Sequence, residues 1–205
     1  MFEKKILVAL VMTLLSFKAF SQEEKGNKLI YRVGAGPSIE GNQGQWAINF
    51  INELSFYPSE RFSINPSLTY FTVVGEFDGS GRFWQDDFEM QDFQEFSSSL
   101  FTDVRLNYDV IRTAKDFRVG LGFGPSFQYG GESSFGGWFQ NEQGEMEGII
   151  SVERFARLGY VTQVVFDWQG KNENRRNTLG VSMSSFSGYW PYYLMVNYRL
   201  GFKLK

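Results

Sequence analysis

The chain contains neither cysteine nor histidine, and these two absences remove large classes of chemistry. Without cysteine there is no disulfide, no thiolate metal site and no lipid anchor of the lipoprotein type. Histidine is the commonest catalytic base because its pKa lies near neutral pH, so the histidine-dependent reactions are excluded too. Carboxylates remain, and Asp103 and Asp109 are the pair that could act as acid and base. We expect them instead to be structural charges paired with an arginine such as Arg105.

Long apolar runs and a strong net charge are also missing. After the N-terminus no stretch approaches the 18 apolar residues of a transmembrane helix. A net charge of −3 gives no footprint for nucleic acid. There is no P-loop, and the Gly-x-Gly sequences lie within strand-like segments, where they form no nucleotide fingerprint. The acidic residues do not follow EF-hand spacing. We therefore expect no cofactor, no metal site and no nucleic-acid partner.

The N-terminus has the composition of a secretory signal. Lys4 and Lys5 precede an apolar stretch at 6–15, and Ala19-Phe20-Ser21 supplies small residues at the −3 and −1 positions of a cleavage site. The apolar stretch is too short for an ordinary membrane-spanning helix. We expect a cleaved signal peptide at 1–21, a short segment at 22–28, and one domain at 29–205.

The chain is rich in aromatic residues (18%) and glycine (22 residues), and its apolar residues alternate with polar ones. Successive side chains of a strand point to opposite faces, so this alternation predicts strands with one apolar wall. The last fourteen residues show it most clearly, and their length suits a tilted membrane-crossing strand. The alternation predicts eight strands, at 29–39, 45–57, 61–73, 97–111, 117–129, 152–168, 176–187 and 192–205.

Alternation alone does not say which wall faces inward, because a soluble lipocalin-like barrel puts its apolar wall inside. Three features favour the inverted arrangement, in which apolar residues face lipid. The polar wall is rich in glycine, which a narrow lumen requires. It carries both signs of charge, which a lumen must pair because unpaired burial costs several kcal/mol. Aromatic residues typical of membrane girdles lie near segment ends, namely Trp46, Tyr57, Trp168, Trp190 and Tyr192.

The inverted arrangement predicts a charge network in the lumen. Its expected members are Arg32, Glu53, Asp103, Arg105, Asp109, Arg118, Arg157, Asp167 and Arg199. Pro66 conflicts with the third strand, since proline removes a ladder donor and a closed sheet has no free edge. Either a bulge or a shifted register is expected there.

The connections fall into two sets that predict opposite ends of a barrel. The short ones are 58–60, 112–116 and 169–175, and the others are 40–44, 74–96, 130–151 and 188–191. Short inner turns and longer outer loops are usual in outer-membrane barrels. The two long loops carry eleven acidic residues and one basic residue. The short-turn end is basic, with Arg61, Arg112, Lys115, Lys171, Arg175, Arg176, Lys203 and Lys205.

The long loops also contain many aromatic residues, which simple solvation does not require. They could pack on each other, bind a protein partner or coordinate Ca²⁺, although the acidic spacing gives calcium little support. The candidate partner-binding residues are Phe83, Trp84, Asp86, Asp87, Phe88, Trp138 and Phe139.

Two segments repeat a Gly-x-Gly-Pro-Ser pattern, at 34–38 and 122–126, and the last strand ends in Leu200-Gly201-Phe202-Lys203-Leu204. With the signal sequence and eight alternating segments, the chain resembles the small eight-stranded outer-membrane β-barrel proteins common in Bacteroidota. The repeat aligns the fifth strand with the first and hints at a duplicated four-stranded half. The final residue is Lys205, whereas many such barrels end on an aromatic residue.

The resemblance implies an all-β, eight-stranded, antiparallel up-and-down transmembrane barrel with a filled lumen. It implies a place in the bacterial outer membrane, with both termini periplasmic and lipid around the barrel. Outer-membrane barrel enzymes such as lipases, lipid A acyl hydrolases, palmitoyl transferases and omptin-type proteases rely on histidine, so we expect no enzyme. The expected function is a structural or accessory role, in contact with another outer-membrane protein through loops 74–96 and 130–151 or the lipid face. A small pore and a secreted ligand-binding barrel are the alternatives.

Overall fold

A computed structural model describes residues 28–41, 45–76, 96–114, 116–140, 143–144, 146–186 and 192–204. Within these ranges eight antiparallel strands form one closed barrel, in which each strand pairs with its sequence neighbours and the last pairs with the first. The strands are β1 (Lys28–Glu40), β2 (Gln45–Tyr57), β3 (Phe62–Glu76), β4 (Phe96–Arg112), β5 (Arg118–Gln140), β6 (Met146–Gln169), β7 (Arg175–Phe186) and β8 (Tyr192–Leu204). The predicted fold class is confirmed.

The two walls of the barrel have the polarity that the alternation predicts for the inverted arrangement. Along β2 the side chains of Trp46, Ile48 and Phe50 are exposed on the outside, whereas those of Asn49 and Glu53 are buried in the lumen. The other strands also expose large apolar side chains on the outside, and their buried side chains are mostly polar, with exceptions such as Phe71, Phe101 and Tyr193. None of the described ranges contains a helix with the length and apolarity to cross a membrane.

β5 and β6 extend much further than the alternation indicated. They have 23 and 24 residues, against 12 to 17 in the other strands, and pair with each other as far as Gln140 and Met146. The expected long loop at 130–151 is therefore wrong: most of it is a β-hairpin. Inside a barrel the two walls face different surroundings, but beyond the barrel they do not. The apolar–polar pattern therefore fades at Tyr129 while the backbone pairing continues.

Pro66 lies in β3 with neither a bulge nor a shifted register at its position. It pairs with Val104 of β4, while the β2–β3 ladder passes from Ser67 to Ile64 without a pair at Pro66. The missing N–H of Pro66 therefore coincides with a local gap in the β2–β3 ladder. Two explanations were expected, a bulge or a register error, and both are wrong, because a local gap in one ladder is enough.

The two Gly-Pro-Ser motifs occupy equivalent places on opposite sides of the barrel. The β1–β8 ladder skips Pro37, and the β4–β5 ladder skips Pro125. At the preceding glycines the neighbouring carbonyl approaches so closely that a Cβ on Gly36 or Gly124 would overlap it. Each motif thus marks a close strand approach in one four-stranded half, and the duplication stays a prediction.

Candidate functional site

The lumen is filled by two layers of side chains at different heights. Toward the end that carries the longer loops lies an aromatic layer. It consists of Phe71, Phe101, Phe186 and Tyr193, packed with Ala47 and Met195. Toward the short turns lies a charged cluster. It consists of five arginines and five carboxylates, namely Arg32, Arg105, Arg118, Arg176, Arg199, Glu53, Asp103, Asp109, Asp116 and Asp167.

In the aromatic layer the rings meet edge to face across the lumen. The ring centroids of Phe71 and Tyr193 are 5.2 Å apart, and those of Phe101 and Tyr193 are 5.1 Å apart. Phe186 completes the layer, with its centroid 5.7 Å from that of Phe101. Such ring pairs add about 0.5–1.5 kcal/mol each beyond simple burial. The alternation places Tyr70, Leu100 and Tyr192 on the outer wall. The residues that follow them in the chain, Phe71, Phe101 and Tyr193, point inward and belong to the layer.

Glu53 is the centre of the charged cluster and is 3% exposed. Its Oε2 accepts hydrogen bonds from Arg105 at 2.8 Å and Arg199 at 2.5 Å. Its Oε1 accepts from Arg32 at 3.3 Å and from the Ser55 hydroxyl at 2.9 Å. One carboxylate from β2 thus joins guanidinium groups from β1, β4 and β8, so it ties together strands on different sides of the lumen.

Gln163 of β6 holds two of the same arginines from the other side. Its Oε1 accepts from Arg105 at 2.9 Å and from Arg199 at 3.2 Å, and its Nε2 donates to Asn107 at 2.9 Å. The guanidinium groups of Arg105 and Arg199, which carry like charges, can therefore lie side by side between Glu53 and Gln163. The glycines of the lumen make room for them, because a Cβ at Gly180 would overlap the guanidinium group of Arg199.

Arg32 connects this centre to the short-turn end. It donates to Asp167 at 2.7 Å, to the Tyr57 hydroxyl at 3.0 Å and to Thr178 at 3.2 Å. Tyr57 is 8% exposed and lies inside the barrel, so its predicted place in an outer girdle is wrong. Its parity along β2 is that of Glu53, which directs the ring inward.

The turn between β4 and β5 places a further carboxylate over the mouth of the lumen. Asp116 has a φ of 57°, a left-handed conformation that Asp adopts more readily than most residues. Its side chain accepts hydrogen bonds from Arg118 at 2.8 Å and from Arg176. Arg176 also donates to Asp167 and is buried in the lumen, so it does not belong to the basic surface that was predicted for the short-turn end.

The pKa of Asp116 reflects these two arginines. Partial burial raises it, but the hydrogen bonds from Arg176 and Arg118 outweigh burial and lower the pKa to about 2. The carboxylate is thus ionised throughout the physiological range and completes the balance of five positive and five negative groups.

The remaining predicted lumen residues occupy different surroundings. Asp109 has its carboxylate 3.6 Å from Arg118, and Asp103 accepts hydrogen bonds from Ser126 at 2.6 Å and Ser67 at 3.3 Å. Arg157 lies nearer the aromatic layer, half-buried, with its guanidinium carbon 3.9 Å from the Phe155 ring centroid.

The predicted loop residues are largely beyond the described structure. Phe83, Trp84, Asp86, Asp87 and Phe88 lie outside the described residues, as do Trp190, Lys115 and Lys205. Trp138 and Phe139 lie on β5, where only their backbone is described. Their part in partner binding stays a prediction.

The chemistry that the lumen offers is charge pairing. The cluster leaves a cavity of about 10 Å³ beside Tyr57, Asn107, Asp109 and Arg118, the space of about one water molecule. Among the described residues no three His, Cys, Asp or Glu side chains are arranged to hold a metal ion.

Comparison with known proteins agrees with this geometry. No family model and no curated protein matches the chain. Solved structures do. A major outer membrane protein of Thermus thermophilus has a TM-score of 0.55 and 12% identity, over 88% of this chain and 100% of that one. Neisserial surface protein A (NspA) has a TM-score of 0.54 and 10% identity, over 88% of this chain and 98% of that one. The N-terminal β-barrel domain of OprF from Pseudomonas aeruginosa has a TM-score of 0.50 and 9% identity, over 87% of this chain and 98% of that one.

These neighbours are small eight-stranded outer-membrane barrels, and at such low identity they show that the fold is shared. They therefore support the predicted resemblance to small eight-stranded outer-membrane barrels. The narrower assignment to a Bacteroidota-type family stays a prediction.

Replacing the central carboxylate should destabilise the barrel. We expect Glu53→Gln to lower the free energy of unfolding by about 3–5 kcal/mol, because three buried guanidinium groups lose their shared counter-charge. Urea unfolding of the detergent-folded barrel, followed by tryptophan fluorescence, measures this. Glu60→Gln is the control, since Glu60 is exposed and its pair with Arg112 should contribute about 0–1 kcal/mol. Equal midpoints for Glu53→Gln and the native chain would show that the cluster is solvated.

Asp116 should give the barrel a stability increment that acid removes. Its folded pKa, about 2, lies below that of an unfolded aspartate, so the increment is complete above the unfolded pKa and is lost as pH falls toward 2. We expect the native chain to be more stable than Asp116→Asn at neutral pH, and the difference to shrink below about pH 4. Unfolding midpoints of both chains between pH 7 and 2 test this. A pH-independent difference would contradict it.

Proposed function

We propose that the chain is a non-enzymatic β-barrel of the bacterial outer membrane, with a structural or accessory role and a partner protein bound at its long-loop end. The observation that carries this proposal is the combination of an apolar outer wall, a filled lumen and a hairpin that projects beyond the barrel.

The membrane location is supported by the outer wall. Large apolar side chains are exposed on all eight strands, with Phe123 at 59% and Leu106 at 50%. A monomer in water rarely exposes so extensive an apolar surface, whereas a lipid-facing band requires one. A secreted ligand-binding barrel would have its apolar wall inside, so this surface disfavours it.

The absence of a catalytic role is supported by what surrounds the carboxylates. The chain has no histidine, and Glu53, Asp116 and Asp167 accept hydrogen bonds from arginine. The Asp103 carboxylate is engaged by two serine hydroxyls. A general base must reach a substrate proton, and these groups are held in the lumen instead.

A partner surface is supported by the hairpin. Among the described residues, β4 pairs with β5 as far as Ser133, and β7 pairs with β6 from Gly159 onward. Within these ranges the part of β5 beyond Ser133 is paired with β6 alone and extends by roughly 20 Å at the usual rise per residue. Such an edge presents backbone donors and acceptors to an added strand. Val152 is 71% exposed there, which gives an added strand an apolar contact.

A cross-linking experiment tests the partner proposal. Because the chain has no cysteine, Val152→Cys introduces a unique thiol on the hairpin. We expect a single defined cross-linked product from intact outer membranes. Ser59→Cys, in a short turn at the opposite end, should give none. Leu121→Cys, on the outer wall, tests contact through the lipid face. A solitary monomer from all three variants would overturn the partner proposal.

The pore alternative meets two barriers in the same lumen. The aromatic layer and the charged cluster close it at different heights, and a cavity of about 10 Å³ beside the cluster holds about one water. We expect no steady unitary currents from the native chain in planar lipid bilayers. Phe101→Ser should stay silent as well, because the charged cluster remains. Steady currents from the native chain would favour the pore instead.

A further inference from the structure

One side of the short-turn end carries cations that face outward beside exposed rings. We call it the β6–β8 rim, and it consists of Lys171 and Arg175 with Trp168, Tyr198 and Phe202. Arg175 is exposed, and its guanidinium carbon lies 5.8 Å from the ring centroid of Phe202 on the outer wall. The lumen arginines point the other way, so their charges do not reach this surface.

Backbone hydrogen bonds hold the turn that carries the two cations of the rim against the last strand. The Gly170 amide donates to the Arg175 carbonyl at 2.9 Å and closes the turn that contains Lys171. The Lys203 amide donates to the Asn174 carbonyl at 3.0 Å, which brings β8 against that turn. Glu173 is the one acidic residue of the turn, so the rim has a net positive charge.

The aromatic part of the rim lies directly above these cations. The rings of Trp168 and Tyr198 have centroids 6.2 Å apart, and the Tyr198 hydroxyl donates to Asn177 at 2.9 Å. Tryptophan and tyrosine concentrate at the level of lipid headgroups, where one side of the ring contacts acyl chains and the other contacts water. The cations next to them are therefore at the height of phosphates.

The opposite side of the same end carries two arginines of different character, and of these Arg61 is exposed. The other is Arg112, which donates to Glu60 at 3.0 Å and approaches Asp116 to 3.9 Å. Its charge is compensated within the protein. Arg112 and Arg175 thus differ in whether acidic side chains of the protein compensate their charge.

We propose that the β6–β8 rim binds an anionic phospholipid, with its phosphate at Arg175 and Lys171 and its acyl chains on Phe202, Trp168 and Tyr198. Arginine matches phosphate through two parallel N–H donors, and lysine adds unpaired positive charge. The proposal depends on the membrane location proposed above. It adds a preference for one class of lipid at one side of the barrel.

Native mass spectrometry of the full barrel in detergent tests this preference. Phosphatidylglycerol and phosphatidylcholine with identical acyl chains are titrated separately. We expect tighter binding of phosphatidylglycerol, and a loss of about fivefold in its affinity for Arg175→Gln or Lys171→Gln. Phosphatidylcholine binding should be unchanged. The preference should weaken as salt rises, because exposed charges are screened.

Arg112→Gln is the matched control, since it removes the same charge from the opposite side of the same end. It should keep the phosphatidylglycerol preference, and heat-dependent gel migration confirms that each variant is folded. Equal affinities for the two lipids, or an equal loss in Arg112→Gln, would overturn the lipid site.

Insertion into pure phosphatidylcholine vesicles, measured by protease protection, separates this proposal from the membrane location. A barrel that inserts but shows no lipid preference refutes the lipid site alone. A barrel that inserts into neither phosphatidylcholine nor phosphatidylglycerol vesicles refutes both proposals.

Discussion

β1 and β8 are hydrogen-bonded along ten residue pairs, and this seam turns the sheet into a barrel without a free edge at its walls. A span through lipid requires all its backbone groups to be paired within the protein, so closure comes before every other property. It also creates an interior that only side chains can fill. The apolar outer wall, the balanced lumen charges and the lumen glycines all follow from this one constraint, because each adapts a wall to lipid or to a narrow interior.

The filling of the lumen has a consequence for function. Charged residues in a closed interior stabilise only when each has a partner, and Glu53 satisfies this for three arginines at once. The aromatic layer closes the same interior nearer the long loops. A lumen with two closures of different chemistry is suited to rigidity rather than transport. The contacts that we propose are all on surfaces outside it, namely the projecting hairpin, the outer wall and the β6–β8 rim.

Particular residues show which positions the alternation of apolar and polar side chains could predict. Glu53 and Arg199 could be placed in the lumen from parity along their strands alone. Parity also directs Tyr57 inward, but its position at a strand end suggested a girdle. The hairpin at 130–151 was missed because its side chains no longer alternate between lipid and lumen. Arg176 was misplaced because a strand start and a turn look alike when only charge is counted.

The sequence by itself determined the number of strands, the two walls and the kinds of group that meet inside. These are local properties, since a period of two residues and the polarity of each wall are written along every strand. Only the tertiary structure decided which arginine meets which carboxylate, and that Asp116 and Arg176 join them. Those pairings depend on the register between strands distant in sequence and on closure of the barrel. The last strand illustrates both levels: its alternation placed Arg199 inside, and pairing across the lumen gave it Glu53.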